Sequence, residues 1–214
     1  MTPRLALGVA LALSSAMPNS AWTQEAQTGQ DLDRQVREFL DSHDRQWRDM
    51  NVPEADGQLL YDLIIEHQFT RALEVGTSTG HSAIWIAWAL SKTGGTLTTI
   101  EIDERRYQEA LRNFEAAGVS DYINARLADA HELVPELEGP YDFVFMDADK
   151  DWYARYFQFL LPKLDEGACF AAHNVSGRTR GMAGFLDELE ATPGVETEIV
   201  RASRSGMSVS CRTS

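Results

Sequence analysis

The chain has 214 residues, a formal net charge of −14 at pH 7 and 43% hydrophobic residues. This length suits one domain with a buried core and is too short for two domains of ordinary size. A balance this acidic argues against nucleic acid as a partner, because phosphate contacts require clustered lysine and arginine. The composition therefore favours a single globular domain that binds a small molecule.

The first 21 residues have the features of a secretory signal peptide. Arg4 supplies the positive charge that a signal peptide carries near its N-terminus. The apolar run at 5–13 is too short to span a bilayer as a helix. Small residues follow this run, and cleavage is expected after Ala16 or Ala21. We therefore expect an exported mature chain (periplasmic or secreted) without an integral membrane span; a cytoplasmic protein is the alternative.

Two amphipathic helices are predicted before the first strand. Residues 22–30 are polar and patternless, which is typical of a linker. Apolar residues then recur at helical spacing over 31–48, and again around Leu59 and Ile64. The single domain is therefore expected over residues 31–214, with these helices as an N-terminal extension.

The rest of the chain alternates between predicted strands and predicted helices. Five apolar segments are expected as strands: 72–75, 97–101, 122–127, 143–146 and 168–172. Helical patterns occupy the intervals 82–92, 104–117, 131–136 and 150–161. This alternation predicts a doubly wound, mostly parallel sheet with helices on both faces.

The C-terminal part departs from this alternation. A helix is expected over 182–190, followed by strands over 195–202 and 207–212. A connection as short as 203–206 joins antiparallel neighbours. We therefore predict a seven-stranded α/β sheet that ends in an antiparallel hairpin.

Polar residues follow the predicted strands at their carboxyl ends, which is where open α/β sheets bind ligands. The first strand leads through Glu74 into a turn between Gly76 and Gly80, and the fifth leads into His173 and Asn174. Acids follow the second, third and fourth strands: Glu101, Asp129, Asp147 and Asp149. Because these ends meet at one edge of the sheet, we predict a ligand site there.

The glycine turn distinguishes between two classes of nucleoside ligand. Glu101 suits the hydroxyls of a ribose, a feature that dinucleotide enzymes share with enzymes that use S-adenosylmethionine (SAM). The turn lacks the third glycine of the G-x-G-x-x-G fingerprint, and Glu74 before it would repel a pyrophosphate. SAM carries a sulfonium and an ammonium, and acids attract both cations. The residues therefore favour SAM over a dinucleotide.

Residues 46–174 resemble the class I SAM-dependent O-methyltransferases of the catechol and caffeoyl-coenzyme A type. The resemblance is carried by the stretches 50–57, 73–80, 99–103 and Asp147-Ala-Asp-Lys-Asp-Trp-Tyr153. It implies a Rossmann-like fold and methyl transfer to a hydroxyl of a small, catechol-like aromatic acceptor. A homodimer remains an alternative for the assembly.

The resemblance also implies a role for each matching residue. The SAM site would comprise Val52, Glu74, Gly76, Thr77, Ser82, Glu101, Ala130 and Asp147, with Glu101 on the ribose. Lys150 would be the general base, and Asp147 with the pair after the fifth strand, His173 and Asn174, would hold a divalent metal. A metal that bridges two vicinal oxygens stabilises a phenolate, and a lysine beside a cation can accept the phenol proton.

Position 173 departs from the family, which normally has an Asp-Asn pair there. His173 leaves Asp147 as the single carboxylate of the metal set. Imidazole suits Mn²⁺, Fe²⁺, Co²⁺ or Zn²⁺, whereas Mg²⁺ prefers oxygen ligands. Three interpretations remain open: a metal softer than Mg²⁺, a lost metal with His173 as the base, and a structural histidine.

Two further features concern the alternative functions. The loop that follows Asn174 is shorter than in the family, which together with His173 raises the alternative of a non-catalytic exported SAM-fold binding protein. Cys169 and Cys211 fall in predicted strands that neighbour each other in the sheet order of this family. In an exported protein they could form a disulfide, and two buried thiols are the alternative.

Overall fold

The computed structural model describes residues 20–213 except residues 45, 48, 178 and 179. Residues 1–19, which make up nearly all of the predicted signal peptide, lie outside the described residues, as does part of the short loop after Asn174. The strands are β1 Arg71–Val75, β2 Thr96–Glu101, β3 Ile123–Leu127, β4 Tyr141–Met146, β5 Leu164–His173, β6 Val195–Val200 and β7 Met207–Arg212.

The described strands form one seven-stranded sheet in the order β3-β2-β1-β4-β5-β7-β6. The first five strands run parallel to their neighbours. Strand β7 lies antiparallel between β5 and β6. This confirms the predicted mostly parallel sheet with an antiparallel hairpin at its C-terminal end. It also places the carboxyl ends of β1, β2, β4 and β5 side by side.

Helices cover both faces of the sheet. They are α1 Ser20–His43, α2 Glu54–His67, α3 His81–Thr93, α4 Glu104–Ala117, α5 Ala130–Glu136, α6 Tyr153–Leu160 and α7 Arg180–Ala191. Two expectations need correction: residues 22–30 belong to α1 instead of a linker, and that helix ends at His43 instead of continuing to residue 48. The helix predicted over 150–161 is divided, because a 3₁₀ turn over Lys150–Trp152 precedes α6.

Alternating side chains of the central strands divide the core into two layers. Phe143 and Phe145 of β4 pack with apolar residues of α1, α2, α3 and α4. Val144 and Met146, which point the other way, pack with residues of α5, α6 and α7. Successive residues of a strand face opposite sides, so a strand buried on both faces needs apolar residues throughout. Helix α3 is buried from His81 to Leu90 and forms the centre of the first layer.

A disulfide joins the last parallel strand to the hairpin. Cys169 of β5 lies directly opposite Cys211 of β7 in the antiparallel register. Their sulfurs are bonded, and their Cα atoms are 4.0 Å apart. The alternative of two buried thiols is therefore wrong in this structure.

Candidate active site

A cavity of about 650 Å³ opens at the carboxyl ends of the parallel strands. Residues from five strand ends line it, together with residues of the segment before α2. Of the residues that the sequence assigned to the SAM and metal sites, those on its wall are Gly76, Glu101, Ala130, Asp147, Lys150, His173 and Asn174. The tertiary structure thus brings the predicted acids, the lysine and the His-Asn pair around one space large enough for a drug-sized ligand.

Gly76 allows β1 and β4 to approach each other at the floor of the cavity. Its φ angle is +101°, and a Cβ atom there would lie 2.2 Å from the backbone oxygen of Asp147. A side chain at this position would therefore be strained in conformation and would collide with the backbone. Glycine is required here because the chain turns within contact distance of Asp147.

Glu101 is held in place by three backbone N–H groups. Its carboxylate accepts hydrogen bonds from the amides of Ser78, Ile102 and Asp103 at 2.7, 3.1 and 2.9 Å. A carboxylate offers about four lone-pair sites, so about one remains for a ligand. Glu101 lies on the cavity wall with only 5% of its surface exposed. A ribose there would meet a fixed acceptor that loses little side-chain entropy on binding.

Glu74 lies behind the turn, away from the cavity wall. It is fully buried and accepts hydrogen bonds of 2.5 Å from the hydroxyls of Ser82 and Thr99. Burial raises the pKa of Glu74 to about 7, against the lowering effect of these two hydroxyls. Glu74 and Ser82 were both assigned to the SAM site, and in the structure their side chains contact each other on the buried side of the turn.

Two more residues assigned to SAM occupy positions beside the main cavity. Thr77 is buried, and its hydroxyl lies 2.5 Å from that of Thr99. Val52 is buried on the wall of a second cavity, of about 520 Å³, and its backbone oxygen accepts a hydrogen bond from His81. Burial lowers the pKa of His81 to about 4, so this ring is neutral and donates through Nδ1. Both predicted residues therefore contribute to the frame of the site.

The segment before α2 is fastened over the turn. The Ser78 hydroxyl donates to the backbone oxygen of Asp49 at 2.5 Å, and Asn51 donates to Thr79 Oγ1 at 2.9 Å. Arg106 of α4 makes two 3.0 Å contacts with the Asp49 carboxylate. These contacts bring Met50, Asn51 and Pro53 to the rim of the cavity.

Lys150 and Asp147 form an ion pair on the cavity wall. The ammonium nitrogen of Lys150 lies 2.6 Å from Asp147 Oδ1 and 3.0 Å from the hydroxyl of Tyr153. Tyr153 is fully buried, and its hydroxyl contacts the backbone oxygen of Met146. The 3₁₀ turn that starts at Lys150 therefore holds the amine against the Asp147 carboxylate, at the end of β4, and against the buried Tyr153 hydroxyl.

His173 lies between two carboxylates. Its Nδ1 is 3.0 Å from Asp147 Oδ2, and its Nε2 is 2.8 Å from Asp56 Oδ2. Burial favours the neutral ring, but both carboxylates outweigh it and raise the pKa of His173 to about 9. Burial likewise opposes ionisation of Asp147, and its contacts with His173 and Lys150 outweigh burial and lower the Asp147 pKa. The site therefore alternates negative and positive groups.

Three groups that can bind a cation converge on one point. Asp147 Oδ2 and the side-chain amide of Asn174 lie 3.0 and 3.1 Å from His173 Nδ1. If Nδ1 carries a proton, it can donate to Asp147. The N–H groups of the Asn174 amide would then face that N–H, which is a second donor. The oxygen and nitrogen of an Asn amide are interchangeable, so all three groups can face a single cation. Oxygen and imidazole ligands together suit Mn²⁺, Fe²⁺, Co²⁺ or Zn²⁺, and the donor set fits such an ion.

The backbone turns sharply at Asn174. Its φ angle is +62°, in the left-handed region that non-glycine residues adopt at a cost. Strain of this kind persists where the surrounding structure enforces it, and it is common at binding sites. The left-handed backbone directs the chain away from β5 immediately after His173.

Sequence reasoning missed several residues of the site. Ile102 and His131 line the cavity, and each directly follows a residue that was assigned to SAM, so proximity in sequence was an available signal. His131 stacks on Trp152 with ring centroids 3.8 Å apart. Asp56 carried no comparable signal, because its partner His173 is 117 positions away.

Comparison with known proteins agrees with this geometry. Residues 24–183, more than half of the chain, match the sequence model of a family described as O-methyltransferase. The chain belongs to this family. A crystal structure of the O-methyltransferase from Bacillus cereus, in complex with SAH, matches this chain with a TM-score of 0.74 at 25% identity, and the match covers 91% of this chain and 99% of that chain.

Two relatives have more specific names. A catechol O-methyltransferase from Niastella koreensis is 35% identical over 151 residues, which are 69% of this chain and 66% of the relative. A caffeoyl-CoA O-methyltransferase 1 from Zea mays is 32% identical over 147 residues, which are 66% of this chain and 56% of the relative. This O-methyltransferase family member therefore spans less than two thirds of the length of both relatives.

Within the ranges that the structure covers, each helix is too short or too polar to traverse a bilayer.

Proposed function

We propose that this protein transfers the methyl group of SAM to a hydroxyl of a small, catechol-like aromatic acceptor with the help of a divalent metal. The observation that carries the proposal is the 2.6 Å pair of Lys150 and Asp147 on the wall of a cavity that also contains Glu101. The names of the two relatives support a catechol-like acceptor. The SAH complex of the Bacillus cereus protein supports a SAM-derived ligand.

In this proposal the turn and its neighbours bind SAM. Glu101 accepts from the ribose, and Gly76 leaves room for the ligand beside β1. Asp147 and Asp149 place negative charge on the cavity wall, which favours a ligand that carries a sulfonium and an ammonium. Ile102, Ala130 and His131 line the same wall and suit the flat base.

The acceptor would lie against Lys150. The acceptor oxygen attacks the methyl carbon, and the bond from that carbon to sulfur breaks with S-adenosylhomocysteine as the leaving group. The amine of Lys150, after giving up one ammonium proton to solvent, takes the hydroxyl proton. Asp147 and Tyr153 hold the amine, so the base is fixed where the reaction needs it. A divalent metal held by Asp147, His173 and Asn174 would supply Lewis acidity that lowers the pKa of the acceptor hydroxyl.

The proposal is tested by measuring SAM-dependent methylation of catechol with added Mn²⁺. We expect Lys150→Met to lower the rate by about 10²- to 10⁴-fold, the usual contribution of a positioned base. SAM binding should survive, with a stabilisation of about 2.7 kcal/mol at 100 times Kd. Lys92→Met, at the far end of α3, is the matched control and should behave as wild type. Absence of both a SAM-dependent thermal shift and methylated product would overturn the proposal.

We also propose that the mature protein is exported. The disulfide between Cys169 and Cys211 supports export, since disulfides persist in oxidising compartments. N-terminal sequencing of the native protein tests this. Cleavage after Ala16 or Ala21 is expected, and an intact Met1 would contradict it.

A further inference from the structure

Asp56 is a buried carboxylate to which the proposed function assigns no role. It lies in the first turn of α2 and is fully buried. The next residue, Gly57, lets this turn pack against α3, because a Cβ there would lie 2.3 Å from the indole of Trp85. Close packing of α2 is therefore what carries the Asp56 carboxylate to the end of β5, where it meets His173.

His173 is the cationic partner of Asp56 among the residues that the structure describes. Asp56 Oδ2 lies 2.8 Å from His173 Nε2 and accepts a hydrogen bond of 2.6 Å from the Ser203 hydroxyl. Asp56 Oδ1 is buried and makes no hydrogen bond within the described part of the chain. A buried carboxylate without a positive partner is strongly destabilising. Asp56 therefore depends on an N–H at His173 Nε2.

Asp147 depends less than Asp56 on a hydrogen bond from the His173 ring. It shares its charge with Lys150 at 2.6 Å, and 13% of its side chain is exposed. When the ring is neutral it carries one N–H, and the two carboxylates compete for it. If the N–H of His173 lies on Nδ1 instead of Nε2, the fully buried Asp56 loses more stabilisation than Asp147 gains. The single proton therefore stays on Nε2, and the lone pair of Nδ1 faces Asp147 and Asn174.

We propose that Asp56 is a positioning residue that holds His173 in the Nε2–H tautomer and directs Nδ1 at the metal. The inference rests on the metal assistance in the proposed function. Metal-binding histidines commonly donate their second N–H to a carboxylate, which orients the ring and makes it a stronger ligand. Asp56 also supplies, from behind the ring, the negative charge that the aspartate normally found at position 173 would provide.

Calorimetric titration with Mn²⁺ tests the role of Asp56. We expect Asp56→Asn to weaken Mn²⁺ binding by about 10- to 100-fold, as loss of such a carboxylate does elsewhere. Asp142→Asn is the matched control. Asp142 accepts from the backbone amides of Thr70 and Arg71 at 2.7 and 2.8 Å, at the opposite edge of the sheet. Its Mn²⁺ affinity should equal that of wild type. Equal affinities of the folded Asp56→Asn and wild-type proteins, or equal losses in both variants, would overturn the inference.

A double-mutant cycle separates positioning from general stability. In a His173→Asp background the ring is gone, so Asp56 has no tautomer to hold. We expect Asp56→Asn to lower Mn²⁺ affinity less in that background than in the wild type, because only the negative charge of Asp56 is then lost and no ring is misdirected. The same loss of affinity in both backgrounds would show a purely structural effect and would overturn the positioning role.

A measurement on the metal-free wild type keeps the inference testable if no metal binds. Failure of wild type to bind Mn²⁺ at millimolar concentration would overturn the metal assistance in the proposed function. The tautomer of His173, read from long-range ¹H–¹⁵N spectra at a pH where the ring is neutral, then decides the role of Asp56. A proton on Nε2 supports the orientation by Asp56, and a proton on Nδ1 overturns it.

Discussion

The carboxylate of Glu74 accepts a 2.5 Å hydrogen bond from the hydroxyl of Ser82, eight residues further along the chain. This contact crosses the glycine turn on its buried side, so Glu74 joins the end of β1 to the first turn of α3. Glu74, which the sequence assigned to the SAM site, therefore contacts the turn from its buried side. Its burial has consequences for stability that can be measured.

The first prediction concerns the pH dependence of stability that Glu74 produces. Its pKa is raised from 4.5 to about 7, so the folded state favours the proton. This contribution is present in full below about pH 4.5 and is lost as the pH rises to about 7, a loss of about 3 kcal/mol. We expect Glu74→Gln to remove this loss, as measured by urea unfolding at several pH values. Parallel curves for variant and wild type would contradict the prediction.

The second prediction concerns His81, whose effect has the opposite sign. Burial lowers its pKa from 6.5 to about 4, so the folded state favours the neutral ring. Its contribution is present above about pH 6.5 and is lost as the pH falls to about 4, again a loss of about 3 kcal/mol. His81→Asn should remove this loss, whereas the exposed His67→Asn is the control and should not. Urea unfolding from pH 4 to 7 measures both, and identical profiles for the two variants would disprove the assignment.

The third prediction concerns metal preference. Because His173 replaces an oxygen ligand with imidazole, we expect Mn²⁺ to bind more tightly than Mg²⁺. His173→Asp should shift the preference towards Mg²⁺. Calorimetry with each metal measures the two affinities. Equal or tighter binding of Mg²⁺ by the wild type would contradict the prediction.

The fourth prediction concerns the disulfide. Cys169 and Cys211 are separated by 42 positions, and closing a loop of that length stabilises a protein by about 4 kcal/mol in the chain-entropy treatment. We expect the variant Cys169→Ala with Cys211→Ala to lose stability of this order in urea unfolding. Reduced wild type should match the double variant. Alkylation of both cysteines in native protein that was never reduced would show that the bond is absent.

Local sequence patterns were sufficient for most of the fold. The predicted segments overlap all seven described strands. Strands β1 and β4 are mostly buried apolar segments between turns, whereas β3 and β6 are partly exposed. The bounds differed at ends such as that of β5, which starts at Leu164 and so extends four residues before the predicted segment. Residues 22–30 were the clearest miss. Gln, Glu and Ala are good helix formers, and a helix built from them needs no apolar stripe.

The sequence by itself determined the class of site, because the turn from Gly76 to Gly80, Glu101 and the Asp147–Lys150 pair each follow a strand end. Only the tertiary structure decided which of these residues face the cavity. Strand side chains alternate, so Glu74 points away from the layer that holds Leu73 and Val75 and becomes buried. The contact of Asp56 with His173 depends on how closely α2 packs on the sheet, and no local pattern encodes a distance between residues 117 positions apart.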